Sequence, residues 1–202
     1  MTDDTNRAES PSTSSRPEGV EPGGSSAPGR YGYGVELVAN GEDGEARFRA
    51  DLAAVAELLG PLAQEIEPIG SRLVPGIEAK PITDLIVRIL PEDLPRAEAR
   101  LAGAGLREIK LDHPSRTMFR RYRPGTTTPD LHVHLTTPEA WHGSRERAFY
   151  RLLQSRPTVA AAYSAVKRLA LELSDGDPKR YGDLKSQFIE WALEVTDECG
   201  DA

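Results

Sequence analysis

Between Ile69 and Ile89 a short apolar segment breaks at Gly70-Ser71 and passes through Val74-Pro75-Gly76 and Ala79-Lys80-Pro81. It then resumes as the β-branched run Ile82 to Ile89. Twelve residues separate Ser71 from Asp84, which sits near the start of the second run. Few arrangements satisfy this pattern: a strand, a tight turn that exposes backbone N–H groups, a linker, and a second strand carrying an acid near its start. Amides beside a small hydroxyl hold phosphate oxygens, and a strand-borne carboxylate holds Mg²⁺. The stretch therefore has the skeleton of a nucleotidyl-transfer site, with Gly70 and Ser71 binding phosphate and Asp84 binding metal.

The rest of the chain reads as one α+β domain over 31–198 behind a tail. Residues 1 to about 30 are rich in Ser, Pro, Gly, Asp and Glu. They offer too little apolar surface to offset ordering entropy, so disorder is expected there. Order is expected from Tyr31 to Gly34 onward, with a short strand over Val35–Val38. A helix follows over Ala46–Leu59, where Phe48, Leu52, Val55, Ala56 and Leu59 recur at helical spacing, and Gly60-Pro61 stops it. Ile66–Ile69 is the next strand. Ile82–Leu90 shows little alternation, as a strand buried on both faces does. Pro91 opens a helix through Ala104 that Gly105 ends. Leu106–Leu111, Thr117–Tyr122 and Asp130–Leu135 read as strands, the first two separated by Asp112-His113-Pro114-Ser115. Three helices close the chain, over Pro138–Gln154, Pro157–Leu173 and Pro178–Val195, and His142 is placed near a helix start. The expected architecture is a mixed sheet flanked by helices and followed by a helical bundle.

Composition narrows the partners. A net charge of −7 over 202 residues and a pI near 5.2 argue against a long nucleic acid, which a basic field would have to hold. A small molecule is the preferred substrate. No apolar run approaches a membrane span and no signal peptide opens the sequence, so no membrane partner is expected. The single cysteine, Cys199, has no internal partner, which fits a reducing cytoplasm.

Two further groups of polar residues are candidates. Asp130, His132 and His134 alternate on one strand, and period-two geometry would put all three on one face. Carboxylate and imidazole together suit a metal, or an acid with a general base. Arg72 and Lys80 lie in the linker between Ser71 and Asp84, and Arg116, Arg120 and Arg121 surround the strand before Asp130. Converging on Gly70-Ser71, such cations would trap an anion. Arg120 and Arg121 alternate across a strand, so both cannot face one site.

Gly70-Ser71, Val74-Pro75-Gly76, Ala79-Lys80-Pro81 and Asp84 closely resemble the signature of the GrpB family, small proteins on the nucleotidyltransferase fold. Phe119-Arg120 and Leu131-His132-Val133 resemble the family's arginine-bearing strand and its His-Leu-His-Val strand, with Asp130 standing at the first histidine. Arg156-Pro157, Tyr163, Lys167, Tyr181, Lys185 and Phe188 match its helical C-terminal third, so the resemblance spans roughly 34–195. It implies a nucleotidyltransferase-like α+β fold. It also implies a nucleoside triphosphate such as ATP as substrate, Mg²⁺ or Mn²⁺ as cofactor, and a small acceptor to be nucleotidylated or activated. The implied site has Asp84, His132 and Lys80 as catalytic residues and Asp84, Asp130 and His132 as metal ligands, with phosphate on Gly70, Ser71, Arg72, Arg116 and Arg120. Lys167 and Lys185 would have to reach back to the cleft. Nucleotidyltransferases place a second carboxylate two residues after the first, where Ile86 stands here as an apolar residue does across the family. The other reading is therefore a module that binds an anion or nucleotide, or a protein partner, without turnover. Asp84 meeting both Asp130 and His132 would favour catalysis, and separation across the sheet would favour the module.

Overall fold

The computed structural model describes residues 34–39, 41–111 and 116–200, without the side chains of 42 and 197–200. The N-terminal tail, the onset of order at Tyr31, the Asp112–Ser115 segment with His113, and the Cys199 side chain lie outside the described residues.

Helix α1 (Glu42–Leu59) starts earlier than the apolar spacing implied, because its first turn, Glu42-Asp43-Gly44-Glu45, carries no apolar signal. Gly60 ends it at φ +52°, donating back to the Ala56 carbonyl. Among the described residues the strand expected over Val35–Val38 reduces to one bridge, Val38 paired with Ala79 through two 2.9 Å hydrogen bonds. Pro81, two residues beyond Ala79, has no N–H with which to extend that ladder. After β1 (Ala63–Pro68) the Gly-Ser corner and linker lead to β2 (Thr83–Ile89). A 3₁₀ turn over Pro91–Asp93 precedes α2 (Leu94–Gly103), and Gly105 at φ +84° reverses the chain into β3 (Arg107–Ile109). Then come β4 (Arg116–Tyr122) and β5 (Pro129–Thr136).

The five strands form a mixed sheet in the order β1-β2-β5-β4-β3, antiparallel throughout except for the parallel pair β2 and β5. One face carries Leu85, Val87 and Ile89 of β2 and Leu131, Val133 and Leu135 of β5. These pack beneath Val55 and Leu59 of α1 and Ala97 and Leu101 of α2. On the other face Ile86 meets Ile69 and Trp141. Leu85, Ile86 and Val87 are all fully buried, as the run without alternation implied.

The C-terminal third contains four helices rather than three: α3 (Pro138–His142), α4 (Arg145–Ser155), α5 (Pro157–Ser174) and α6 (Pro178–Gly200). Gly143-Ser144 divides the first expected helix, and the Ser144 hydroxyl accepts the Arg147 N–H to cap α4. His142 is consequently the last residue of α3, not near a helix start. The α5–α6 turn has Asp175 at φ +49°, and the Asp177 carboxylate caps α6 through the Lys179 N–H at 2.8 Å. Helices α4 to α6 share a core around Phe149, Leu153, Tyr163 and Ala192, joined by Val74 and Ile77 of the linker. Arg147, 6% exposed, ties this bundle to the sheet. Its guanidinium donates to both Glu67 oxygens of β1 at 2.8 and 2.7 Å and to the Trp141 carbonyl at 2.7 Å. Among the described residues no helix is long and apolar enough to cross a membrane.

Candidate functional site

The cleft lies where the bundle meets the sheet. Its floor is set by register: the parallel pairing of β2 and β5 places Asp84 opposite His132 and Ile86 opposite His134. Asp84 and His132 therefore share a face, and their side chains meet with Oδ1 2.8 Å from Nδ1. His134, two residues along β5, presents its ring beside them, and the donor atoms of all three lie within 4.8 Å of one another.

The Gly-Ser corner closes against this floor. Gly70 sits at φ +79°, and a Cβ there would come within 2.8 Å of Asp84 Oδ2. Only glycine combines that conformation with that approach. Among the described residues no carbonyl accepts from the amides of Gly70, Ser71 or Arg72. The Ser71 hydroxyl accepts from Lys167 Nζ at 3.0 Å, and the same ammonium donates to the Glu78 carbonyl.

Two lobes of about 300 and 150 Å³ meet at Gly70, Ser71, Asp84, Tyr163 and Lys185. The smaller holds Arg72, Lys80, His132, Lys167 and Tyr181, and the larger holds His134, Glu146 and Phe149. Lys80, Lys167 and Lys185 thus converge from the linker, α5 and α6. Burial pulls Lys80 down to about 8 and Lys167 to about 7, each helped by the charge of Lys185. Burial lowers Lys185 as well, against the opposite pull of Asp84. Partial burial of the Asp84 carboxyl resists ionisation, but the His132 hydrogen bond and the nearby Lys185 hold it below the usual carboxylate range. Burial drops His134 to about 4, leaving its imidazole neutral.

The positions of the expected site residues divide. Gly70, Ser71, Arg72, Lys80, Asp84 and His132 come together. Arg120 opposes His132 across β4 and β5, and its Nε is buried without a partner. Arg116 instead pairs with Glu146 at 2.6 Å, so its charge is already engaged. Asp130 is the clearest correction. Arg121 opposes Leu131 and Tyr122 opposes Pro129, so a bulge leaves Asp130 unopposed and re-aims it to the α1 side. There it meets Arg47 at 2.5 Å and Arg121 at 2.8 Å, and Arg121 also holds Asp51 at 2.7 Å. Asp130 does not join Asp84 and His132, and His134 takes that place. Arg120 and Arg121 do part to opposite faces, as their alternation required.

Sequence reasoning gave no role to the aromatic frame around the lysines. Tyr163-x-x-x-Lys167 on α5 is repeated as Tyr181-x-x-x-Lys185 on α6, one tyrosine a helical turn before each lysine. Lys167 lies 5.1 Å from the Tyr163 ring, and Lys185 and Lys80 lie 5.6 and 5.0 Å from the Tyr181 ring. That repeat was the available signal.

A Mg²⁺ pair does not fit this site. Mg²⁺ takes oxygen ligands, whereas the donors here are one carboxylate and two imidazoles. Ile86 occupies the second carboxylate position, buried beside Ile69 and Trp141, and Asp130 faces away.

Comparison with known proteins places this geometry. The family model described as "GrpB protein" matches residues 34–195. The glutamate-rich protein GrpB of Alkalihalophilus pseudofirmus is 26% identical over 167 residues, covering 79% of this chain and 94% of its own. A UPF0157 protein of Streptomyces coelicolor is 33% identical over 127 residues, covering 62% of this chain and 64% of its own. The crystal structure of the conserved protein GrpB from Enterococcus faecalis superposes with a TM-score of 0.67 at 20% identity, over 80% of this chain and 99% of that one. With the signature at the Gly-Ser corner, the two-histidine strand and the lysine-bearing helices all within the matched span, the chain belongs to the GrpB family and shares the α+β fold of the Enterococcus faecalis GrpB protein.

Proposed function

We propose that the cleft binds a nucleoside triphosphate and transfers its nucleotidyl group to a small acceptor, or uses it to activate that acceptor. One observation carries the reading. Three lysines and Arg72, carried by the linker, α5 and α6, converge on a turn whose amides no carbonyl occupies among the described residues, in a protein whose net charge is −7. Cations concentrated against the overall charge, in a partly dry pocket, are arranged for a polyanion. The amides at Gly70-Ser71 and the Lys167 ammonium would take phosphate oxygens, and Lys80 and Lys185 would offset charge on the departing pyrophosphate. The combined lobes suit a small acceptor and not a polymer.

The second reading, binding without turnover, draws on Ile86 and on the diversion of Asp130, which leave Asp84 the only acid of the Asp84–His132–His134 group. One experiment separates the two. Thermal shift with nucleoside triphosphates, pyrophosphate and nucleosides should show stabilisation by the triphosphates and loss of it in Lys185→Ala and Lys167→Met. Pyrophosphate release on adding a pool of small hydroxyl- and carboxyl-bearing acceptors would then mark an enzyme. Stabilisation with no release would mark the binding module, and no shift with any triphosphate would end the first reading.

A further inference from the structure

The donor set that rejects Mg²⁺ has a different preference. We infer that Asp84, His132 and His134 form a mononuclear site for a borderline transition-metal ion such as Zn²⁺ or Co²⁺. The inference does not depend on nucleotide binding.

Three features support it. The first is spacing. Donors about 2.0–2.1 Å from a common tetrahedral or octahedral ion lie about 2.8–3.4 Å apart. Asp84 Oδ1 and His132 Nδ1 are already 2.8 Å apart, and the His134 donor lies within the 4.8 Å that spans the group. A small side-chain rotation closes the set. The second is unmet bonding capacity on an imidazole. Among the described residues, His134 Nδ1 is buried and has no hydrogen-bond partner. An imidazole nitrogen left so is costly unless something else occupies it. The third is rigidity. All three residues stand on adjacent, register-locked strands whose opposite face is core, so the donors are held without help from loops.

The chemistry selects the ion. Two imidazoles and one carboxylate suit Zn²⁺, Co²⁺, Ni²⁺ or Fe²⁺, whereas all-oxygen sets suit Mg²⁺. Three protein ligands leave a position open toward the larger lobe, which His134 and Asp84 both line. That opening would admit water or a ligand oxygen.

The test uses the full untagged chain, stripped with a chelator and titrated without nucleotide. Co²⁺ should give a visible d–d spectrum saturating at one equivalent, and Zn²⁺ should displace it at equal stoichiometry. Millimolar Mg²⁺ should not. His134→Ala and His132→Ala should each weaken Zn²⁺ binding tenfold or more, measured against a chromogenic chelator. His142→Ala, at the exposed end of α3, should leave it unchanged. Far-UV circular dichroism and melting temperature certify that the variants fold. If a histidine variant fails to fold, Asp84→Asn supplies the same comparison. Absence of stoichiometric binding, equal binding in folded His134→Ala, or displacement of Co²⁺ by Mg²⁺ would each overturn the inference. Triphosphate binding is scored separately on metal-free protein, so failure of one result is not failure of the other.

Discussion

Gly70 and Lys167 each perform one task that no neighbour duplicates. Gly70 must hold φ +79° while its backbone approaches Asp84. Gly70→Ala meets both a strained backbone and a carboxylate oxygen. It should cost about 1–3 kcal/mol in urea unfolding and displace Asp84 from His132. Lys167 binds its proton weakly. Its folded value is about 7 against 10.5 for the free side chain, mainly because it is buried. Between those values the unfolded chain binds more protons, so Lys167 makes stability rise with pH across the window and contributes no slope below it. Anion affinity in the proposed site runs the other way, since the amine that loses its charge near 7 is the one proposed to take phosphate oxygens. Triphosphate affinity should therefore fall as pH rises through about 7 to 8, where Lys80 also titrates. Isothermal titration in buffers of different ionisation enthalpy should show proton uptake on binding, reduced in Lys167→Met. The Gly70-Ser71 turn and the strand position of Asp84 were readable in the sequence because turn chemistry and strand position are local properties. The proton affinity of Lys167 was not, because burial is decided by α5 docking on the linker.

Strand β5 shows how one element sorts its residues. Alternation alone assigned Asp130, His132 and His134 to one face, and for the two histidines that holds. The extra residue at the Arg121–Tyr122 step turns Asp130 to α1 and makes it part of a buried network with Arg47, Arg121 and Asp51. Nothing in the Pro129-Asp130-Leu131 spelling announces a bulge, because it depends on the pairing register with β4. Asp130→Asn removes a carboxylate that is 8% exposed and held by two guanidinium groups. It should cost about 2–3 kcal/mol in chemical denaturation. Zn²⁺ and triphosphate affinity of the folded variant should stay within about twofold of the parent, since the Asp130 side chain is held by Arg47 and Arg121 on the sheet face opposite His132 and His134. Loss of metal binding in Asp130→Asn would restore that residue to the site. In the C-terminal helices, a helical pattern running from Pro138 to Gln154 conceals a break at Gly143-Ser144, where the Ser144 hydroxyl accepts the Arg147 N–H.

At the scale of the whole molecule, the cleft exists because two cores are held together at one seam. The sheet with α1 and α2 is one core, and α4 to α6 with the linker is the other. Arg147 joins them through Glu67 and lies over the Trp141 ring, 3.8 Å from its centroid. Removing one partner of a buried pair costs about 3–5 kcal/mol. Arg151 remains 3.1 Å from Glu67, so Arg147→Ala should fall near the lower end, about 3 kcal/mol. Because Lys167 and Lys185 ride on the bundle, triphosphate affinity should drop in the same variant. Gln154→Ala, at an exposed position of α4, should not reproduce that drop. Calorimetry and unfolding on one sample check both. The sequence by itself determined the α+β class, the Gly-Ser corner followed by an acid-bearing strand, and the paired histidines. These follow from local backbone preference and from periods of 2 and 3.6 residues. Only the tertiary structure decided which charges face the cleft. It set Asp130 aside, engaged Arg116 with Glu146, and brought lysines of α5 and α6 to Ser71 and Asp84. The physical reason is that burial and ion pairing are properties of contacts between segments far apart in the chain, and no local pattern encodes them.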